Sequence, residues 1–143
     1  MDYTWLIFAL LSAFTAALVA IFGKIGLQKI DANTATAIRA VIMATFLIVV
    51  ILFEGKFSKI SSIVSNTNAM FYITLSGIAG ALSWLFYFLA LKLGKASQVA
   101  PIDRLSVVFV IILATLFLGE KLSLKIGIGA SLVAVGAIII ALA

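Results

Sequence analysis

The chain has 143 residues, 65% of them apolar, with ten basic and five acidic side chains and a net charge of +5. A soluble domain carries roughly a quarter charged residues, so polar groups are too few to cover a water-facing surface, and lipid is the solvent that a hydrocarbon exterior fits. The absence of cysteine and histidine excludes disulfides, thiol chemistry, haem and nearly all zinc or iron sites. The basic residues are dealt out singly at helix ends, which argues against a nucleic-acid-binding face.

A spanning helix needs about 20 apolar residues, and five such stretches occur in order. The first runs over 5–22 and ends at Gly23, Lys24 and Gly26. It has no basic residue before its apolar run and is too long for a signal peptide, so it reads as retained. The second covers 33–53, follows the capping-type residues Asp31-Ala32-Asn33 and stops at Glu54-Gly55. A polar stretch from Lys56 to Asn68 carries Phe57, Ile60 and Ile63/Val64 at helical spacing, which suits a segment lying on the membrane surface. The third span covers 69–91, the fourth 97–118 and the fifth 124–143. The expectation is an all-α membrane protein forming one five-helix transmembrane domain over 1–143, with nothing left for a second domain.

An odd number of spans places the termini on opposite sides. Loops on the N-terminal side carry Lys56, Lys59, Lys121 and Lys125; those on the other side carry Lys24, Lys29, Lys92 and Lys95. The positive-inside rule reads asymmetry in Lys and Arg, and here the loop lysines balance. Arg39 and Arg104 lie just inside the helices on the second side and tilt the count towards that side being inside. So weak a bias is compatible with insertion in both orientations.

Arg39 lies about six residues into the second span and Asp103-Arg104 as far into the fourth, roughly 9 Å below each helix start. Ionisable groups at such depth are costly, face the bundle interior or water, and often pair. Arg39 and Asp103 are expected to face each other, with Arg104, about 100° further round the helix, snorkelling to the interface. Two readings stay open: a structural ion pair that fixes helix register, or a site coupled to solute or ion movement, where desolvation of Asp103 favours protonation and a neighbouring arginine opposes it.

On the third span Ser76, Gly80, Ser83 and Tyr87 share a stripe with Trp84 beside it. The stripe suits a solute pathway; Tyr87, five residues from Lys92, equally suits the interfacial aromatic belt. Small residues at four-residue spacing (Ala9, Ala13 and Ala17; Ser76 and Gly80; Ala130 and Ala134) read as helix packing. Pro101, the only proline, sits two residues before Asp103 and kinks the helix if it lies beyond the first turn. No Ser/His/Asp set, intramembrane carboxylate pair or phosphate-binding glycine loop occurs, so neither an enzyme nor a cofactor is expected.

The run Gly94-Lys95-Ala96-Ser97-Gln98-Val99-Ala100-Pro101, followed by an apolar helix and Gly119-Glu120-Lys121-Leu122-Ser123 with Gly127, resembles the drug/metabolite transporter superfamily in its EamA branch. Phe86 to Lys92 and Gly23-Lys24-Ile25-Gly26-Leu27 fit the ends of that family's third and first helices. The resemblance covers essentially the whole chain as one five-helix repeat. Most members carry two repeats of opposite orientation; this chain is similar to the short single-repeat prokaryotic members, which share a Pro-Ile-Asp-Arg-like start to the fourth helix.

The resemblance implies a prokaryotic inner-membrane protein working as an antiparallel homodimer, with the solute path between subunits. The related four-helix multidrug transporters use an acidic residue in their first helix; this chain has none in its first span, so the resemblance does not carry that mechanism over. The expected function is a secondary transporter that moves a small metabolite or drug-like solute by alternating access. Lys24, Arg39 and Asp103, with Arg104, would line the vestibule, and Ser83, Trp84 and Tyr87 the path. The alternatives are a small dimeric ion channel and an accessory membrane subunit without transport of its own.

Overall fold

A computed structural model of the chain describes residues 3–143. Those residues form helices and connecting turns, without strands: α1 (Thr4–Gly26), α2 (Ala32–Phe53), α3 (Lys59–Val64), α4 (Thr67–Leu93), α5 (Ala96–Asp103), α6 (Ser106–Phe117) and α7 (Leu124–Leu142). Helices α1, α2, α4 and α7, and the continuous stretch Ala96–Phe117 made by α5 and α6, are each long and apolar enough to cross a membrane. Their side chains are largely exposed: Phe14, Phe46, Phe109 and Leu132 each leave more than 60% of their surface uncovered. In water such an exterior would drive aggregation; in lipid it costs nothing.

The helix ends follow from local chemistry. Asp31 caps α2, its carboxylate accepting from the Thr34 amide at 2.8 Å and the Thr34 hydroxyl at 3.0 Å. Asn66 does the same for α4 by accepting from the Ala69 amide at 3.0 Å, so this helix starts at Thr67, two residues before its apolar run. Ser123 caps α7 through the Ile126 amide. Gly55, at φ +66°, stops α2: its amide donates to the Leu52 carbonyl and that of Lys56 to the Ile51 carbonyl. That pair of bonds is the Schellman stop, and the left-handed backbone it requires favours glycine. Gly119, at φ +69°, ends α6 in a similar way, with the Glu120 amide reaching back to the Ala114 carbonyl. The Gly119-Glu120 motif is thus a helix stop.

The polar stretch after α2 contains the short helix α3, whose Ile60, Ile63 and Val64 are exposed, as is Phe57 just before it. Several hydroxyls inside the apolar helices are satisfied by their own backbone. Thr15, Thr36, Thr45, Thr115 and Ser131 each donate to the carbonyl four residues earlier, which is how an isolated hydroxyl avoids an unpaired donor in hydrocarbon.

The fourth span is broken. Pro101 is the sixth residue of α5 and has no amide to offer the Ser97 carbonyl. Three residues later the α-helical ladder tightens: the Arg104 amide donates to the Pro101 carbonyl at 3.1 Å and the Leu105 amide to the Ile102 carbonyl at 3.0 Å. These three-residue bonds form a short 3₁₀ turn that joins α5 to α6.

The contacts divide the chain into two compact units. In one, made of α1 and the residues from Ala90 onward, α1 packs on α5, and both α5 and α6 pack on α7. Ala20, Leu91 and Ala137 are its buried residues. The other runs from Leu27 to Leu89, contains α2, α3 and most of α4, and buries Leu27, Ala32, Thr36 and Phe88.

Candidate functional site

Within the Leu27–Leu89 unit, α2 and α4 line a groove of about 500 Å³ in which Arg39 is the only charged residue. The guanidinium carbon of Arg39 lies 3.7 Å from the Trp84 ring centroid and 4.5 Å from that of Phe88. Trp84 and Phe88 are one helical turn apart on α4, so their rings stand side by side; their centroids are 5.8 Å apart. Tyr87 extends the cluster edge-on to Trp84 at 5.8 Å. Desolvated cation–π contacts of this kind contribute about 2 kcal/mol, and they supply no hydrogen-bond acceptor to the N–H donors on the guanidinium edge.

Asp103, the expected partner of Arg39, belongs to the other unit; within its own unit the neighbours of Arg39 are rings. Arg39 makes no ion pair or hydrogen bond among the described residues, and its Nε is buried without an acceptor. Rings are suitable neighbours for a guanidinium, which is weakly hydrated and stacks readily, a partner class that a search for opposite charges at equal depth does not consider. Phe88 was missed altogether, although its four-residue spacing from Trp84 was a signal. Lys56 pairs with Glu54 at 2.7 Å, exposed, where such pairs contribute little.

The face that α4 turns to the groove is Gly77, Gly80, Ala81, Trp84 and Leu85. Ser83 lies outside it, exposed and without a hydrogen bond among the described residues. Gly77 and Gly80 are not close-packing points within the chain, since a Cβ at either would meet nothing within 4 Å; they widen the groove.

Lys24 caps a helix end. Its ammonium donates to the Leu91 carbonyl at 2.6 Å and the Gly94 carbonyl at 2.7 Å, at the end of α4 where carbonyls lack helical partners and the helix dipole is negative. The last turn of α1 holds it there, which is why α1 continues through Gly23 to Gly26 instead of ending near residue 22. Gln98 does likewise for α7, its amide nitrogen 3.3 Å from the Ala141 carbonyl.

A second groove, of about 610 Å³, lies in the α1/α5/α7 unit. Ala13, Ala16, Ala17 and Ala20 form one wall, and Pro101 and the exposed Arg104 border it. Asp103, the last residue of α5, is half-buried and makes no ion pair or hydrogen bond among the described residues.

Comparison with known proteins agrees with this architecture. Residues 3–142 match the EamA-like transporter family. The chain is 44% identical over 141 residues, 99% of either chain, to a protein of Sinorhizobium sp. described as an uncharacterized transporter in the cobO 3' region. No solved structure matches it. With a family match across nearly its whole length and five helices fit to span a bilayer, the chain is a multi-pass membrane transporter that belongs to the EamA-like transporter family.

Proposed function

We propose that this transporter is a secondary carrier that moves a small solute by alternating access, working as a pair of oppositely inserted copies. The observation that carries the reading is the α2/α4 groove: an arginine held by two rings, its Nε without an acceptor, on two helices long and apolar enough to cross a membrane. A charge maintained at that depth without a counter-ion is costly as pure scaffold and useful as a solute contact. Arg39, Trp84 and Tyr87 are assigned to the solute path and Asp103 to coupling, with Arg104 and Ser83 nearer its ends.

Five crossings put the termini on opposite sides, so two copies related by inversion supply the symmetry that alternating access uses. The broken fourth span at Arg104–Leu105 supports the same reading, because discontinuous helices build solute sites in carriers.

The test is solute flux in proteoliposomes. A carrier saturates and shows counterflow; currents at channel rates would transfer the assignment to a small dimeric channel. Absence of flux for every solute tried, together with a stable co-purifying protein, would favour an accessory subunit. Within the carrier reading, Asp103→Asn should impair flux in protein that still folds; undiminished flux removes Asp103 from the coupling role.

A further inference from the structure

The α2/α4 groove carries information about the chemistry of its ligand. Resting on the reading of this groove as the solute site, we propose that it selects an organic monocarboxylate with an apolar body, the carboxylate on Arg39 and the body along α2 towards Leu47.

Three observations converge. The first is the state of Arg39. Contact with the Trp84 and Phe88 rings holds the guanidinium in place while its Nε stays buried without an acceptor. A planar fork of donors held in place and lacking an acceptor is complementary to a carboxylate, which accepts two parallel bonds. A cationic solute would be repelled, and a neutral one would leave the charge uncompensated. The rings also exclude water from the faces of the guanidinium, which strengthens whatever bond forms at its edge.

The second is the wall chemistry. Beyond Arg39 the α2 side is Met43, Ala44 and Leu47. The α4 side there is Gly77, Gly80 and Ala81, none of which carries a polar side-chain atom. From Arg39 to Leu47 the helix rises about 12 Å, room for a phenyl ring on a short chain. The volume of about 500 Å³ falls in the range of small-ligand pockets. With a single cation in the groove, a second charged group on the ligand would find no partner, and this is what restricts the class to monoanions.

The third is depth. Helix α2 has 22 residues, close to the thickness of a hydrocarbon core, and Arg39 stands about 10 Å along it from Ala32. The headgroup of a two-chain acidic lipid sits at the level of the helix start, so a diffusing carboxylate fits this position better than a lipid phosphate does.

The sequence has two tryptophans, and a Trp5→Phe background leaves Trp84 as the sole indole reporter. Binding is read from its emission in whole protein in phosphatidylcholine nanodiscs, titrated with 3-phenylpropanoate, its uncharged amide 3-phenylpropanamide, and 3-phenylpropylammonium. The expected result is a saturable change with the carboxylate at least about tenfold tighter than with the amide, none with the ammonium, and loss of the carboxylate response in Arg39→Gln. This ligand series requires no alteration of the site, so it decides the matter even if Arg39→Gln fails to fold.

Equal binding of the amide, binding of the ammonium, retention of the response in folded Arg39→Gln, or no saturable response at all would overturn the proposal. So would a groove that phosphatidylglycerol nanodiscs block with no carboxylate response in phosphatidylcholine, which would give it to lipid. Counterflow with other solutes but no Trp84 response leaves the carrier reading standing and removes this one. Carboxylate binding without flux of any solute does the reverse.

Discussion

The Lys24 ammonium and the Leu91 carbonyl, 2.6 Å apart and 67 positions apart in sequence, tie the last turn of α1 to the last turn of α4. Leu91 is fully buried, and its carbonyl is among those a helix end leaves without a backbone donor. The contact is thus both a charge-assisted hydrogen bond and a C-cap, and the companion bond to Gly94 doubles it.

Lys24→Met should therefore destabilise the protein by about 2–4 kcal/mol, the range for two charge-assisted bonds lost from a partly buried site. The measure is the midpoint of thermal or denaturant unfolding in detergent. Lys24→Gln, able to keep one bond, should fall between the wild type and Lys24→Met. A Lys24→Met protein as stable as the wild type would show the cap to be dispensable. If the role is capping alone, flux per folded molecule should change little in either variant.

At the aromatic cluster, Trp84→Leu removes the nearer of the two rings that hold Arg39 while keeping an apolar side chain in the groove. The guanidinium then gains rotational freedom and loses about 1–2 kcal/mol of cation–π attraction. Carboxylate flux in proteoliposomes should fall roughly tenfold, with Trp84→Phe intermediate because a smaller ring still offers a face. Arg39→Lys keeps the charge but not the flat fork or the stacking, and should lose flux to a similar extent. Unchanged flux in both Trp84→Leu and Arg39→Lys would mean that the solute does not meet this cluster.

How far the sequence discloses this molecule varies along the chain. The five spans were legible because each is a long apolar run with a cap or a glycine at its end: Asp31 before α2 and Gly55 after it carry that information locally. The break in the fourth span was half-legible. Pro101 announces a lost hydrogen bond, but the 3₁₀ turn falls at Arg104–Leu105, where packing of α5 and α6 on α7 absorbs the bend.

The rotation of α4 was not legible. That helix is apolar nearly all round, so it has no amphipathic face to set its orientation. The polar stripe read from the sequence holds Ser76, Gly80, Ser83 and Tyr87 with Trp84 beside it; of these Gly80 and Trp84 line the groove, together with Gly77 and Ala81, which the stripe leaves out. The rings beside Arg39 were not legible for a related reason. Hydropathy gives the depth of a charge but not its lateral neighbours, and a guanidinium is served by rings as well as by carboxylates.

Pro101 offers a test of whether the break matters. Pro101→Ala restores an amide that can donate to the Ser97 carbonyl and removes the ring from the helix interior, which should stabilise the protein by about 1–3 kcal/mol. If bending at Arg104–Leu105 is part of alternating access, the same variant should transport more slowly despite its higher unfolding midpoint. A rise in stability with undiminished flux would reduce the break to a packing feature.

The balance of lysines gives the sharpest test of the paired arrangement. Side-chain charge at the two ends of the helices is nearly even, with Lys56, Lys59, Lys121 and Lys125 set against Lys24, Lys29, Lys92 and Lys95. The positive-inside rule then leaves orientation weakly determined, and a reporter fused to the C-terminus should be found on both sides of the membrane. Replacing Lys121 and Lys125 with glutamine removes half the positive charge from one set without touching Lys24, Arg39 or Trp84, and should bias insertion to one orientation. Introducing two lysines beside Glu120 should bias it to the other. Each biased variant expressed alone should lose most of its flux, because opposed pairs become rare; co-expression of the two should restore it. Full flux from a variant whose reporter lies wholly on one side would show that inversion is unnecessary and that each chain, or a parallel assembly, carries the solute.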